Sequence, residues 1–141
     1  ALALVDLDHF KGVNDRHGHL AGDRVLMQIG RVLATSLRPA DVLCRYGGEE
    51  FCVVLPDTDG DGARTALATL AARLKELAVP WGGQTLTGFT FSAGVAVAPD
   101  DGATQADLVS AADRALYHAK ALGRERVVLA GSEDDRPARA P

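Results

Sequence analysis

The chain has 141 residues, 47% hydrophobic and 24% charged, enough for one compact domain with its own core. Its net charge of −4 speaks against a non-specific nucleic-acid binder, which carries a dense basic face, but not against a triphosphate held through divalent cations. It has no apolar run near the roughly 20 residues that span a bilayer and no signal-peptide pattern, and its two cysteines are too few for a disulfide scaffold, so a cytoplasmic setting is expected, with any membrane anchor lying upstream.

The apolar run 1–5 reads as a buried strand that delivers Asp6 and Asp8 at its C-terminal end. Residues 8–22 are polar and hold at most one short helix. Asp23 marks the start of a longer helix in which Leu26, Ile29, Val32, Leu33 and Leu37 recur at helical spacing, and Pro39 closes it. Strand-like runs 42–46 and 51–55 flank Gly47-Gly48-Glu49-Glu50, which predicts a hairpin pairing Tyr46 with Phe51. In that register Cys44 and Cys52 face opposite sides, and both read as small buried hydrophobes.

Leu67, Leu70, Leu74 and Leu77 form the stripe of a second helix stopped by Pro80. A turn at 81–83 precedes an edge strand at 84–87, and 89–98 is a β-type stretch interrupted by Gly94. A third helix spans 104–122 and ends at Gly123, and 126–130 is the last strand. Residues 1–130 form one domain, and the charged, Pro-containing segment 131–141 is expected to be disordered. The order β, α, β-hairpin, α, β, α, β predicts an α+β fold: a central, mostly antiparallel mixed sheet with helices packed on it, on a ferredoxin-like plan.

If the first strand lies beside the hairpin, Asp6 and Glu49 share one end of the sheet. Hard cations such as Mg²⁺ take one or two carboxylates plus substrate phosphates, and two such ions suit in-line phosphoryl transfer. Acidic residues in turns are ordinarily just solvated, so placement alone leaves both readings open. His17 and His19 lack further ligands at zinc-like spacing and read as loop residues.

Three blocks narrow the choice. Arg45-Tyr46-Gly47-Gly48-Glu49-Glu50-Phe51 resembles the signature of the GGDEF family of diguanylate cyclases in its Glu-for-Asp form. Asp6-Leu7-Asp8-His9-Phe10-Lys11, Asn14-Asp15, Gly18-His19 and Gly22-Asp23 resemble the family's first nucleotide-binding segment. Ala112-Asp113-Arg114-Ala115-Leu116-Tyr117, Ala119-Lys120 and Gly123-Arg124 resemble its C-terminal helix. The resemblance implies a nucleotide-cyclase-palm fold that condenses two GTP into cyclic di-GMP, with two Mg²⁺ (or Mn²⁺) ions per GTP.

It also implies a role for each matching residue. Asp6, Glu49 and the Leu7 carbonyl would hold the metal ions, and Glu49 is in addition the candidate acceptor of the 3′-hydroxyl proton. Lys11 would offset phosphate charge, and the amides of Phe10 and Lys11 would cradle the phosphates. Asn14 and Asp23 would bind the guanine edge, whose N1–H and N2–H₂ donors suit a carboxylate. Gly48 would let the backbone approach the nucleotide. Lys120 and Arg124, four apart on one helical face, would reach the terminal phosphates; taken alone they read as a solvated basic face.

Arg38-Pro39-Ala40-Asp41 fits the R-x-x-D pattern that in the family marks a product-inhibition site. The implied partners are GTP, cyclic di-GMP, a second copy in a head-to-head catalytic dimer and an upstream regulatory domain, with no nucleic acid. A preceding D-x-L-T-G-L-x-N-R segment, usual in the family, is absent, so the sequence is expected to begin inside the domain. Glu125, where the family more often has Asn, places a negative charge beside Arg124. The competing possibility is a catalytically silent receptor for GTP or cyclic di-GMP.

Overall fold

The structure is a computed structural model that describes residues 1–135. Six consecutive buried residues, Leu2–Leu7, form the central strand β1. A strand buried on both faces reads as a continuous apolar run, which is why alternation is missing from its sequence. It pairs antiparallel with β3 (Glu50–Val54) on one side and with β6 (Phe91–Ala96) on the other. β2 (Val42–Arg45) adds to β3 antiparallel, and β7 (Val127–Leu129) adds to β6 in parallel, giving the order β2-β3-β1-β6-β7. This is the α+β mixed sheet that the element order predicts.

Period-two alternation sorts the sheet faces. Ala3, Val5, Leu7, Phe51, Val53, Phe91, Ala93 and Val95 face the main core, filled by α2 (His19–Ser36) and α3 (Gly60–Lys75). Leu2, Leu4, Cys52 and Ala96 face α4 (Gln105–Ala121), which Thr104 starts with a capping box. Gly94 does not interrupt β6. A Cβ there would lie 2.0 Å from the Ala112 carbonyl oxygen, so glycine is what lets α4 settle on the strand.

Several boundaries differ from expectation. The one short helix allowed within 8–22 is α1 (Phe10–His17), but α2 begins at His19 rather than Asp23. The first turn of α2 carries the exposed His19 and Leu20 with no capping side chain, so it leaves no sequence signature. α3 begins at Gly60, capped by Asp59, and ends at Lys75; Pro80 instead sits in a two-stranded ribbon of β4 (Val79–Trp81) and β5 (Gln84–Leu86). A ribbon edge needs no N–H from proline.

The hairpin register is one residue off the expectation: Arg45 pairs with Phe51, and Cys44 lies directly opposite Cys52. The two cysteines therefore share a face, as free thiols, and Cys44 is exposed rather than buried. Burial pushes the Cys52 thiol up to about 11, with the neighbouring Cys44 thiol adding to the shift. Of the segment expected to be disordered, residues 131–135 are ordered, with a 3₁₀ turn at Glu133–Asp135 whose Asp135 bonds His118 Nδ1 at 2.9 Å. Residues 136–141 lie outside the described residues.

Candidate active site

The site gathers at the C-terminal end of β1. Asp6 follows Leu2 and Leu4 on the α4 face of the sheet, paired in register with Glu50 on β3 and Ser92 on β6. The Leu7 amide donates to the Glu49 carbonyl at 3.1 Å, which fixes the signature turn beside Asp6. Lys120, in the last turn of α4, reaches down so that Nζ lies 2.9 Å from Asp6 Oδ2. The Asp6 side chain is only 11% exposed, so this contact is sheltered from bulk water.

The electrostatics follow from that arrangement. Burial raises the Glu49 carboxyl above its ordinary 4.5, the Asp6 and Glu50 charges push it the same way, and Lys120 opposes them. Two carboxylates meet here, and among the described residues no group of three or more His, Cys, Asp or Glu converges. That donor set suits a hard ion that keeps ligand positions for phosphates and water rather than a closed tetrahedral cage.

The nucleotide-binding candidates divide between α1 and α2. α1 starts at Phe10, after His9 in a left-handed conformation (φ 55°) that provides no side-chain cap. The first amides of a helix have no intrahelical acceptor, which leaves those of Phe10 and Lys11 without a backbone partner. The Phe10 side chain is buried in the main core. Lys11 is exposed and lines a cleft of about 650 Å³ between α1 and the β4–β5 ribbon.

Asn14 lies directly over Gly22: a Cβ at 22 would stand 1.8 Å from Asn14 Oδ1. Asp23, the next residue, is exposed on α2. Asn14 of α1 is thus seated against α2 at the residue that precedes Asp23. Gly48 is exposed, and a Cβ there would meet nothing within 4 Å. The space around residue 48 therefore makes no demand for glycine.

Arg124 departs from expectation. α4 ends at Ala121, and Arg124 and Glu125 both adopt left-handed backbone (φ 65° and 49°), so Arg124 does not share a helical face with Lys120. The Glu125 carboxylate pairs with Lys75 rather than standing free beside Arg124. Asp8 organises this corner, a role not foreseen from sequence: it accepts from Thr90 Oγ1 (2.8 Å), Ser92 Oγ (2.7 Å) and the Glu125 amide (3.1 Å). The only available signal was an acid at one strand end facing Thr-x-Ser at the start of another.

Away from this end, Arg38 clasps Asp41 through Nε (3.2 Å) and Nη2 (2.8 Å), and Nη2 also donates to Thr58 Oγ1 at 2.9 Å. The hydrogen bonds and charge of Arg38 hold the Asp41 carboxyl below its ordinary 3.8 against the opposing effect of burial. Arg38, Asp57, Thr58, Asp59 and Thr65 line a surface cavity of about 780 Å³.

Known proteins resemble the chain in sequence and in fold. The family model described as "Diguanylate cyclase, GGDEF domain" matches residues 1–126. The diguanylate cyclase DgcP of Pseudomonas aeruginosa is 43% identical over 129 residues, which cover 92% of this chain but only 19% of that protein. The GGDEF domain of YfiN from P. aeruginosa superposes with a TM-score of 0.86 at 34% identity, covering 94% of this chain and 82% of that one. The GGDEF domain of DgcB from Caulobacter crescentus, solved in complex with c-di-GMP, gives 0.85 at 34% identity over 93% of this chain and 77% of its own. The chain belongs to the GGDEF domain family.

Proposed function

We propose that the domain is a diguanylate cyclase that condenses two GTP into cyclic di-GMP and two pyrophosphates. The observation that carries this reading is the meeting of Asp6, Glu49 and Lys120 at the end of β1, beside a helix start with unbonded amides. Asp6 and Glu49, with the Leu7 carbonyl, would hold two Mg²⁺ or Mn²⁺ ions, which when bound offset charge on the reacting and leaving phosphates.

The chain's own residues supply the rest. Glu49, raised by burial above its own ordinary value, accepts the 3′-hydroxyl proton at neutral pH. The Phe10 and Lys11 amides hold phosphate oxygens, while Lys11, Lys120 and Arg124 balance their charge. Asn14 and Asp23 take the guanine edge; adenine there leaves polar groups unpaired, which disfavours it strongly. Each subunit presents one nucleotide, so turnover requires a head-to-head dimer. Product bound at Arg38 and Asp41, beside the cavity that Arg38 lines, inhibits the enzyme. The chain spans 19% of DgcP.

The test is incubation with GTP and Mg²⁺ at high protein concentration, wild type beside Glu49→Ala, with products identified by mass spectrometry. Cyclic di-GMP from the wild type and a loss of at least about 100-fold in the variant are expected. GTP bound but never turned over, even in a covalently enforced dimer, would show a receptor instead.

A further inference from the structure

Lys120 holds the oxygen that the proposed function gives to a cation. Its ammonium lies 2.9 Å from Asp6 Oδ2, and the side chains are 35% and 11% exposed. Such a contact is stronger than a fully solvated ion pair, because less water screens it. The surroundings are acidic: Asp6 on β1 lies beside Glu49 and is paired in register with Glu50, and Lys120 lowers the proton affinity of Glu49.

The carrier of this charge is fixed while the charge is not. Ala119, next to Lys120, is fully buried, and α4 is pinned at Gly94 and closed by the turn that Asp8 holds. The flexible four-carbon stem of lysine can still swing its ammonium by several ångströms. One ammonium cannot occupy the Asp6 oxygen and also leave that oxygen to a divalent ion.

We propose that Lys120 is a tethered stand-in for the divalent cation: it neutralises Asp6 in the empty site, gives way when the ion enters, and is thereby released toward the phosphates. The inference rests on Asp6 and Glu49 being the metal ligands. It explains how one side chain serves both the carboxylate and the nucleotide. It also couples the two ligands. A cation arriving alone must displace Lys120 into solvent, whereas one arriving with a polyphosphate gives the ammonium a new partner. The affinity for the free ion is held down and that for the ion with nucleotide is favoured, and by linkage the coupling is reciprocal.

The probe is Mn²⁺ alone, without nucleotide, titrated at about pH 8 so that the carboxylates stay ionised, with free Mn²⁺ read by electron paramagnetic resonance. Wild type, Lys120→Met, Lys120→Arg and Asp6→Asn are compared, with melting curves to show that each is folded. Lys120→Gln replaces the Met variant if that one fails to fold. Removing the ammonium should tighten Mn²⁺ binding by about 3- to 10-fold, the range between exposed and sheltered ion pairs. Lys120→Arg, which keeps the charge, should bind no tighter than wild type, and Asp6→Asn should lose the site. Unchanged or weaker binding in Lys120→Met, with binding still lost in Asp6→Asn, overturns the stand-in and leaves the metal ligands in place. Mn²⁺ binding that survives Asp6→Asn overturns both.

Discussion

Gly22→Ala separates recognition from stability. The new Cβ would stand 1.8 Å from Asn14 Oδ1, 2.9 Å from its Cγ and 3.2 Å from Phe10 Cζ. Asn14 is half-buried and its amide is the free end of a side chain, so it can rotate away, whereas the Phe10 contact needs only a few tenths of an ångström. Relief of the clash costs on the order of 1–2 kcal/mol. Alanine in a helix returns up to about 1 kcal/mol relative to glycine. The net change in unfolding free energy is therefore within about 1 kcal/mol. Asn14, however, loses its seat over Gly22. Loss of one neutral hydrogen bond to guanine weakens GTP binding by roughly 3- to 10-fold. The assay is GTP and ATP binding by calorimetry, with a urea unfolding curve, on Gly22→Ala, Asn14→Ala and the double variant. If Gly22 acts by seating Asn14, the double variant binds GTP no worse than Asn14→Ala. Additive losses in the cycle, or GTP affinity unchanged in Gly22→Ala, would refute the reasoning.

Gly94→Ala has no such escape, because the clash is with α4 backbone, 2.0 Å from the Ala112 oxygen and 2.3 Å from the Leu116 nitrogen. It should cost more than about 3 kcal/mol in urea unfolding, or leave the protein insoluble. Without metal, Glu49 titrates above its ordinary 4.5, so Mn²⁺ binding, which needs the ionised carboxylate, should strengthen as pH rises through that displaced range. A carboxyl raised in the folded state stabilises the fold below its unfolded value, and that contribution is lost as pH rises through the folded value. Metal-free Glu49→Gln should then melt slightly above the wild type at neutral pH, by a few degrees at most, and lower melting would contradict the assigned burial. Asp41 has the opposite sign: its depressed carboxyl stabilises the fold above about pH 4 and ceases to do so as pH falls through the folded value. Asp41→Asn should therefore melt below the wild type near neutrality and converge with it in acid.

What could be read from the sequence is what a local pattern encodes. The apolar run ahead of Asp6, the stripes at Leu67, Leu70 and Leu74, the Thr104 start of α4 and the turn between two strand-like runs each carry a periodicity or a cap, and they place the sheet and its helices. The juxtaposition of Asp6 with Glu49 followed from a single topological guess, that the first strand lies beside the hairpin. The misses occur where no local signal exists. The first turn of α2 is polar and uncapped, so its start was read four residues late, and a hairpin turn with two adjacent glycines left the register free by one residue.

The corner behind the site shows why the remainder could not be read. Lys120 and Arg124 have helical spacing, but spacing says nothing about where a helix stops. Here α4 ends at Ala121 and the chain turns through two left-handed residues, Arg124 and Glu125. Asp8 holds that turn by accepting the Glu125 amide, and in turn is held by the hydroxyls of Thr90, just before β6, and Ser92, on it, 82 and 84 residues away in sequence. Such a three-way bond depends on the folded sheet bringing β1, β6 and the end of α4 together, so no window along the chain contains it. The same turn sends Lys120 inward to Asp6 and Arg124 outward to solvent, giving two residues with one expected task two different positions. Their substitution should accordingly separate: charge removal at Lys120 acts on the carboxylates even without nucleotide, whereas charge removal at Arg124 acts only when phosphates are present.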